Sequence, residues 1–118
     1  DDVAYINSLI DEISKKTPVD PKRIYLIGHS NGAFMSFTFA CKTNKVAAIV
    51  AIAGAMDTES DCTPSTPVSL LNIHSTADKT IKVTGGVMNN FPYTSATKTV
   101  KTIAFCVTVP FQEELHTG

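Results

Sequence analysis

The chain has 118 residues, of which 43% are hydrophobic, and its formal net charge is −1. This length allows one domain or less, and the hydrophobic content is sufficient for a packed core rather than a disordered segment. The near-neutral charge gives no reason to expect nucleic acid or a membrane surface as a partner, and no apolar run is long enough to cross a bilayer.

Residues 1–16 are predicted to form a helix, because apolar side chains recur at a helical period and Thr17-Pro18 then stops it. After it, short apolar runs alternate with helical patterns. The runs predict strands at 23–27, 46–53, 68–73 and 106–111, and the helical patterns cover 33–42 and 95–104. This alternation predicts an α/β fold, with a parallel sheet and helices on both faces, in a single domain over residues 1–118.

Three cysteines are present, Cys41, Cys62 and Cys106, and none of them forms a C-x-x-C pair. This spacing argues against a zinc site and against thioredoxin-like redox chemistry, and we expect neither a metal nor a cofactor. An odd count leaves at most one disulfide and one free thiol. From the residues alone, one disulfide and three buried thiols both remain open.

A motif that carries chemistry follows the first predicted strand. Gly28-His29-Ser30-Asn31-Gly32 fits G-x-S-x-G, and it lies between a strand and a helix, as in a nucleophile elbow. The sharp turn would project the Ser30 hydroxyl from the sheet, and the Asn31 backbone N–H would supply one oxyanion donor. A glycine-containing turn with an incidental serine is the alternative. Nucleotide binding is disfavoured, because neither G-x-G-x-x-G nor Gly-Lys-Ser/Thr is present.

A serine nucleophile needs a base, and the base needs an acid to orient it. In this type of site the chain order is serine, acid, histidine. Asp78 follows the strand at 68–73 and is the predicted acid, although it could instead cap a turn. Asp57 and Asp61 compete for the role, but they follow the preceding strand, where an acid is less usual.

Only three histidines can supply the base. His29 adjoins the nucleophile and is interpreted as structural. His74 precedes the acid, so it fails the expected order and is expected to order the Asp78 loop by hydrogen bonding. His116 has the right position in the chain and is the predicted base, with a terminal histidine of no function as the alternative.

Several segments together resemble the secreted polyhydroxybutyrate depolymerase and feruloyl esterase group of α/β-hydrolases. The similar segments are VDPKRIY at 19–25 before the elbow, FAC at 39–41, VAIAGA at 50–55, PVSLLNIHSTAD at 67–78 and GG at 85–86. The resemblance runs from residue 1 to about residue 105. It implies an α/β-hydrolase fold and a serine esterase that cleaves a polyester, a feruloyl ester or a small acyl ester through a Ser-His-Asp triad and an acyl-enzyme.

The resemblance also implies roles for individual residues. It implies Ser30 as nucleophile, Asp78 as acid and a disulfide between Cys41 and Cys62. It further implies a secreted or periplasmic enzyme, although no signal peptide is visible in these residues.

The chain departs from this group in two places. Family members have an oxyanion loop and several strands before the first helix, and their histidine lies in a His-x-Trp-Pro-Gly type segment. Here no tryptophan is present, and Leu115-His116-Thr117-Gly118 is only faintly similar. We therefore expect an incomplete domain that alone is at best a weak esterase, with an exposed sheet edge that favours self-association. The alternative is a non-catalytic α/β-hydrolase module without a complete oxyanion hole.

Overall fold

The structure, a computed structural model, describes residues 1–58, 62 and 64–104. Its elements in chain order are α1 (Asp2–Lys16), β1 (Tyr25–His29), α2 (Asn31–Lys42), β2 (Ala48–Ile52), β3 (Ser69–Ile73), β4 (Gly86–Met88), β5 (Phe91–Tyr93) and α3 (Ala96–Ala104). The three predicted helices and the first three predicted strands are confirmed, with their ends shifted by a residue or two. The strand predicted at 106–111 lies outside the described residues.

The three longer strands form one parallel sheet in the order β1-β2-β3, which confirms the predicted α/β class. Leu26, Ile49 and Leu70 lie side by side across the three strands. Ile49 belongs to the main core together with Phe37 of α2 and Ile103 of α3, and Leu26 and Leu70 pack against that core. Helices α2 and α3 therefore cover the same face of the sheet, and burial of this apolar surface stabilises the layer.

The opposite face of the sheet is open within the part of the chain that the structure describes. Tyr25 and Ile27 of β1 are 60% and 77% exposed, and Leu71 of β3 is 56% exposed. A continuous apolar run predicts a strand with both faces covered, but it does not reveal which segment covers each face. Self-association through an exposed edge of this sheet, rather than through its open face, stays a prediction. No described helix is long and apolar enough to span a membrane.

The antiparallel hairpin of β4 and β5 was not among the predicted elements. Its two-residue turn is Asn89-Asn90, and both residues have positive φ angles, 50° and 63°. Asparagine tolerates this conformation better than most residues do, so the Asn-Asn pair was the available signal. Tyr93 at the end of the hairpin is buried against Ala55 and Ile81, which builds a second, smaller core.

A disulfide joins Cys41, near the end of α2, to Cys62, in the segment between β2 and β3. The two Cα atoms are 5.0 Å apart, within the range that a disulfide requires. This is the pairing that the family resemblance implies. It links the helix that follows the elbow to the segment after the neighbouring strand.

Candidate active site

Ser30 lies at a sharp turn between β1 and α2, with φ 53° and ψ −113°. A non-glycine residue rarely adopts a positive φ, and such strain persists only where the surrounding structure enforces it. Here Ser30 N–H donates to the carbonyl oxygen of Ile52 at 2.8 Å, while its own carbonyl accepts from Ala33 and Phe34 at 3.0 and 3.2 Å. The turn is therefore held by the neighbouring strand on one side and by the first turn of α2 on the other.

The two glycines of the motif serve different purposes. A Cβ at Gly28 would overlap the backbone of Gly32 and lie 2.6 Å from the nitrogen of Ala33, so the strand and helix can meet only over a glycine. A Cβ at Gly32 would meet nothing within 4 Å. Close packing therefore requires glycine at position 28 but not at position 32. Gly54 has a role like that of Gly28, since a Cβ there would lie 3.0 Å from the Ser30 carbonyl oxygen.

The Ser30 hydroxyl is placed at the positive end of a helix. Ser30 is the N-cap of α2, yet its side chain makes no capping hydrogen bond, and no acidic residue lies in the first turn. The N–H groups at a helix N-terminus lack intrahelical acceptors and attract negative charge. Asn31 is the first residue of α2, so its N–H belongs to this set, as the oxyanion prediction requires.

Asp78, the predicted acid, lies in the loop after β3, called the acid loop below, at the same carboxyl edge of the parallel sheet as Ser30. Its Oδ1 accepts from the backbone N–H groups of Thr80 and Ile81 at 2.9 and 3.0 Å. The bond from Ile81 is the largest cause that lowers the pKa of Asp78 below its usual value. Burial, the second largest cause, opposes it, and the Thr80 bond and the charges of His74 and His29 add smaller lowering effects. The carboxyl is thus held in its ionised form, as an orienting acid must be.

His74 is enclosed beside this carboxylate, with only 2% of its side chain exposed. Its Nε2 is 2.6 Å from the carbonyl oxygen of Ile81 and 3.5 Å from Oδ2 of Asp78. A carbonyl oxygen can only accept, so Nε2 must carry the proton. Nδ1 is buried with no hydrogen-bond partner among the described residues. This is the loop-ordering hydrogen bond expected of His74, and an imidazole so enclosed is unsuited to take a proton from Ser30.

The other predicted candidates divide between the described and undescribed parts of the chain. His29 is exposed at the end of β1, and its charge lowers the pKa of Asp78, which links the elbow to the acid loop electrostatically. Asp57 forms an isolated bridge with Tyr93. Asp61 and the predicted base His116 lie outside the described residues. Within those residues, no three histidine, cysteine or acidic side chains form a group that could hold a metal ion.

Aromatic contacts that the sequence did not predict connect helix α2 to the loop that carries Asp78. Phe34, one helical turn after Ser30, packs edge-on against Phe91 and Tyr93, with ring centroids 5.9 and 6.0 Å apart. The Tyr93 hydroxyl accepts from the backbone N–H of Lys82 at 2.9 Å, directly beyond the Asp78 turn. The hairpin therefore contacts both α2 and the acid loop and links the two.

Comparison with known proteins gives the same classification. The profile of the phospholipase/carboxylesterase family matches residues 1–107. Feruloyl esterase B of Piromyces equi is 36% identical over 92 residues, which is 74% of this chain and 17% of that protein. Feruloyl esterase D of Neurospora crassa is 32% identical over 88 residues, 73% of this chain and 30% of that protein.

A third relative, the putative esterase NocK of Nocardia uniformis subsp. tsuyamanensis, is 29% identical over 79 residues, covering 65% of this chain and 23% of that protein. The chain thus spans less than a third of the length of these curated relatives. The resemblance to feruloyl esterases and the α/β-hydrolase classification are confirmed. The family match covers nearly the whole chain and includes the elbow and the acid loop, so the chain belongs to the phospholipase/carboxylesterase family of α/β-hydrolases.

Proposed function

We propose that this chain carries the nucleophile and the acid of a carboxylic ester hydrolase, with Ser30 as nucleophile, Asp78 as acid and His116 as base. The observation that carries the proposal is the Ser30 backbone, which stays at φ 53° because strand, helix and Gly28 together enforce the turn. Strain of about 1–3 kcal/mol is retained at a residue mainly where function needs it. The family match and the esterase names of the relatives support the same reaction class.

The proposed reaction follows from what each group can do. His116 takes the proton of the Ser30 hydroxyl as its oxygen attacks the ester carbonyl, and Asp78 stabilises the imidazolium that forms. The carbonyl oxygen becomes negatively charged and meets the Asn31 N–H at the start of α2. The imidazolium then protonates the leaving alcohol, and an acyl-enzyme remains. Water, deprotonated by the same histidine, releases the acid.

The substrate class and location are proposals of the same kind. Two relatives carry the name feruloyl esterase, which favours an ester of an aromatic acid over a polyester or a small acyl ester as substrate. Secretion to an oxidising compartment is supported by the Cys41–Cys62 disulfide, since such bonds persist mainly outside reducing compartments.

Covalent labelling of the chain with a phosphonate ester tests the nucleophile directly. We expect a single labelled peptide containing Ser30, located by mass spectrometry and lost in Ser30→Ala. Ser69→Ala is the matched control, because Ser69 is exposed at the start of β3 and should leave labelling unchanged. Equal labelling of Ser69 would contradict the elbow assignment. Absence of labelling would favour the non-catalytic module.

Hydrolysis of p-nitrophenyl acetate tests the rest of the triad. A second oxyanion donor normally comes from an upstream loop, and loss of one donor costs about 10²–10³ in turnover. We therefore expect weak hydrolysis by residues 1–118, abolished in Ser30→Ala and strongly reduced in His116→Ala. Turnover at the level of ordinary esterases, about 1–10³ per second, would show that these residues are sufficient. Activity that depends on Ser30 but survives His116→Ala would assign the base elsewhere.

A further inference from the structure

The Asp78 carboxylate has two oxygens in different surroundings. Oδ1 accepts from the N–H groups of Thr80 and Ile81, whereas the contact that Oδ2 makes among the described residues is with the distant Nε2 of His74, at 3.5 Å. A separation of 3.5 Å is at the outer limit of a hydrogen bond, so this contact is weak and leaves both lone pairs of Oδ2 largely unused. Oδ2 therefore keeps the capacity to accept a hydrogen bond from an incoming imidazole.

Ile81 connects His74 to Asp78. Its carbonyl accepts from His74 Nε2 at 2.6 Å, and its N–H donates to Asp78 Oδ1 at 3.0 Å. The Ile81 side chain is also buried, at 2% exposure, which fixes the residue in the second core. Loss of the His74 imidazole would free the Ile81 carbonyl. The Ile81 N–H, which lowers the pKa of Asp78 more than any other group does, would then be held less firmly.

The geometry points to His74 as the positioning residue of the acid: its Nε2–H holds the Ile81 carbonyl, a contact called the clamp below, so that Oδ1 of Asp78 stays bound to the loop and Oδ2 stays able to accept a hydrogen bond from the base. This inference rests on the proposed function, in which Asp78 is the acid. Nδ1 takes no part, since it is buried and none of the residues that the structure describes forms a hydrogen bond with it. An amide donor that reaches the Nε2 position should therefore replace the imidazole, and one at the Nδ1 position should not.

The His74 side chain can be replaced by two amides that test this difference. The amide nitrogen of Gln extends to about the position of imidazole Nε2, whereas that of Asn stops near Nδ1. We expect His74→Gln to keep the clamp and His74→Asn and His74→Leu to lose it. Both amides are polar and uncharged, so the Gln and Asn variants control for each other.

The first readouts do not require activity. In the unmodified chain, the nitrogen NMR shifts of His74 should show the proton on Nε2. Exchange of the Thr80 and Ile81 amide hydrogens should accelerate about tenfold in His74→Asn and His74→Leu and stay near the original rate in His74→Gln. The carbon NMR titration of the Asp78 carboxyl should move upward in the same two variants by more than in His74→Gln.

The charged groups around Asp78 must be considered in that titration. His74 and His29 are the two whose charges lower its pKa, and Lys79 and Lys82 flank the turn with exposed side chains. All three variants remove the His74 imidazole and leave His29 and both lysines in place. The difference between Gln and Asn therefore reports the clamp rather than the lost charge.

Activity gives the last readout. For Ser30-dependent ester hydrolysis, we expect kcat to fall about tenfold in His74→Asn and to be restored in His74→Gln, with KM little changed. A proton on Nδ1, or equal amide exchange in the Gln and Asn variants, would overturn the positioning role. If hydrolysis does not depend on Ser30, the proposed function fails while the exchange and titration data still decide the role of His74.

Discussion

Ser30 and Asp78 are held at the same edge of the sheet by different means. At the elbow, Ser30 keeps its strained backbone because Gly28 allows β1 and α2 to meet. In the acid loop, Asp78 keeps its orientation through two backbone N–H groups and the nearby His74. Steric exclusion is insensitive to pH, whereas hydrogen bonds to a carboxylate depend on its charge. The backbone geometry of Ser30 should therefore persist through changes of pH that disturb the Asp78 loop. Changes in side-chain packing should cost less stability in the Asp78 loop than at the elbow.

The largest effect is expected where the elbow is most crowded. Gly28→Ala should lower the free energy of unfolding by about 3 kcal/mol or more, because the new methyl group overlaps the backbone of Gly32 rather than a flexible side chain. Gly32→Ala is the matched control. It has open space and a helical position, so it should raise stability by up to about 1 kcal/mol. Urea denaturation of both variants measures this contrast, and equal losses would refute the packing explanation.

The second largest effect is expected at Tyr93, which connects the elbow to the acid loop. Tyr93→Phe keeps the ring that packs on Phe34 and removes the hydroxyl that accepts from Lys82 N–H. A partly buried N–H left without an acceptor costs about 1–2 kcal/mol. We expect that loss in thermal unfolding, together with faster exchange of amides in the acid loop. The elbow should be unaffected, so phosphonate labelling of Ser30 should keep its rate. Slower labelling would mean that the hairpin also positions the nucleophile.

The sequence predicts the elbow better than the acid loop for a physical reason. The Gly28–Ser30 geometry depends on steric limits that act within five residues, so a short pattern between a strand and a helix is sufficient to recognise it. The clamp on Asp78 depends on the rotamer and tautomer of His74 and on a contact to Ile81 that no spacing rule encodes. Chain order predicted that His74 orders this loop by hydrogen bonding, but it did not predict the bond to the Ile81 carbonyl.

Features that depend on distant residues were the hardest to predict. Strands β4 and β5 have three residues each, too few for a periodic pattern, and Pro92 within β5 argues against a strand. The open face of the sheet was also unexpected. Ile27 is exposed on that face, yet it belongs to a continuous apolar run, and such a run predicts a strand covered on both faces. Which segment covers an apolar face is decided by tertiary packing, and the run itself does not encode it.

Strain at the elbow can be measured by relieving it. Ser30→Gly should raise the free energy of unfolding by about 1 kcal/mol, because glycine adopts φ 53° without the Cβ clash and this gain exceeds its larger unfolded-state entropy. Asn31→Gly is the control next to it. Asn31 is in ordinary helical geometry, so that variant should lose a few tenths of a kcal/mol. A loss in both variants would show that the turn is not strained.

The smallest effect is expected from the charge of Asp78, and its sign follows from the lowered pKa. The folded state binds the Asp78 proton less readily than the unfolded state, whose pKa is near the ordinary value of 3.8. The ionised carboxylate therefore contributes stability above that value, and the contribution is lost as the pH falls through the lower folded pKa. In Asp78→Asn the group cannot titrate, so the variant should be less stable at neutral pH and approach the original chain in acid.

Thermal unfolding of both chains from about pH 6 down to about pH 2 measures that difference. Glu12→Gln is a matched removal of one carboxylate on α1, where Glu12 pairs with Lys16 in an exposed ion pair at 2.7 Å. Exposed pairs of this kind contribute little, about 0.3–0.5 kcal/mol in a helix, so its curve should run close to that of the original chain. If the stabilities of Asp78→Asn and the original chain coincide above pH 3.8, or if their difference stays constant down to the lowest pH, the loop does not favour the ionised acid. Convergence below that value would establish that hydrogen bonding in the loop, unlike packing at the elbow, makes this half of the site sensitive to pH.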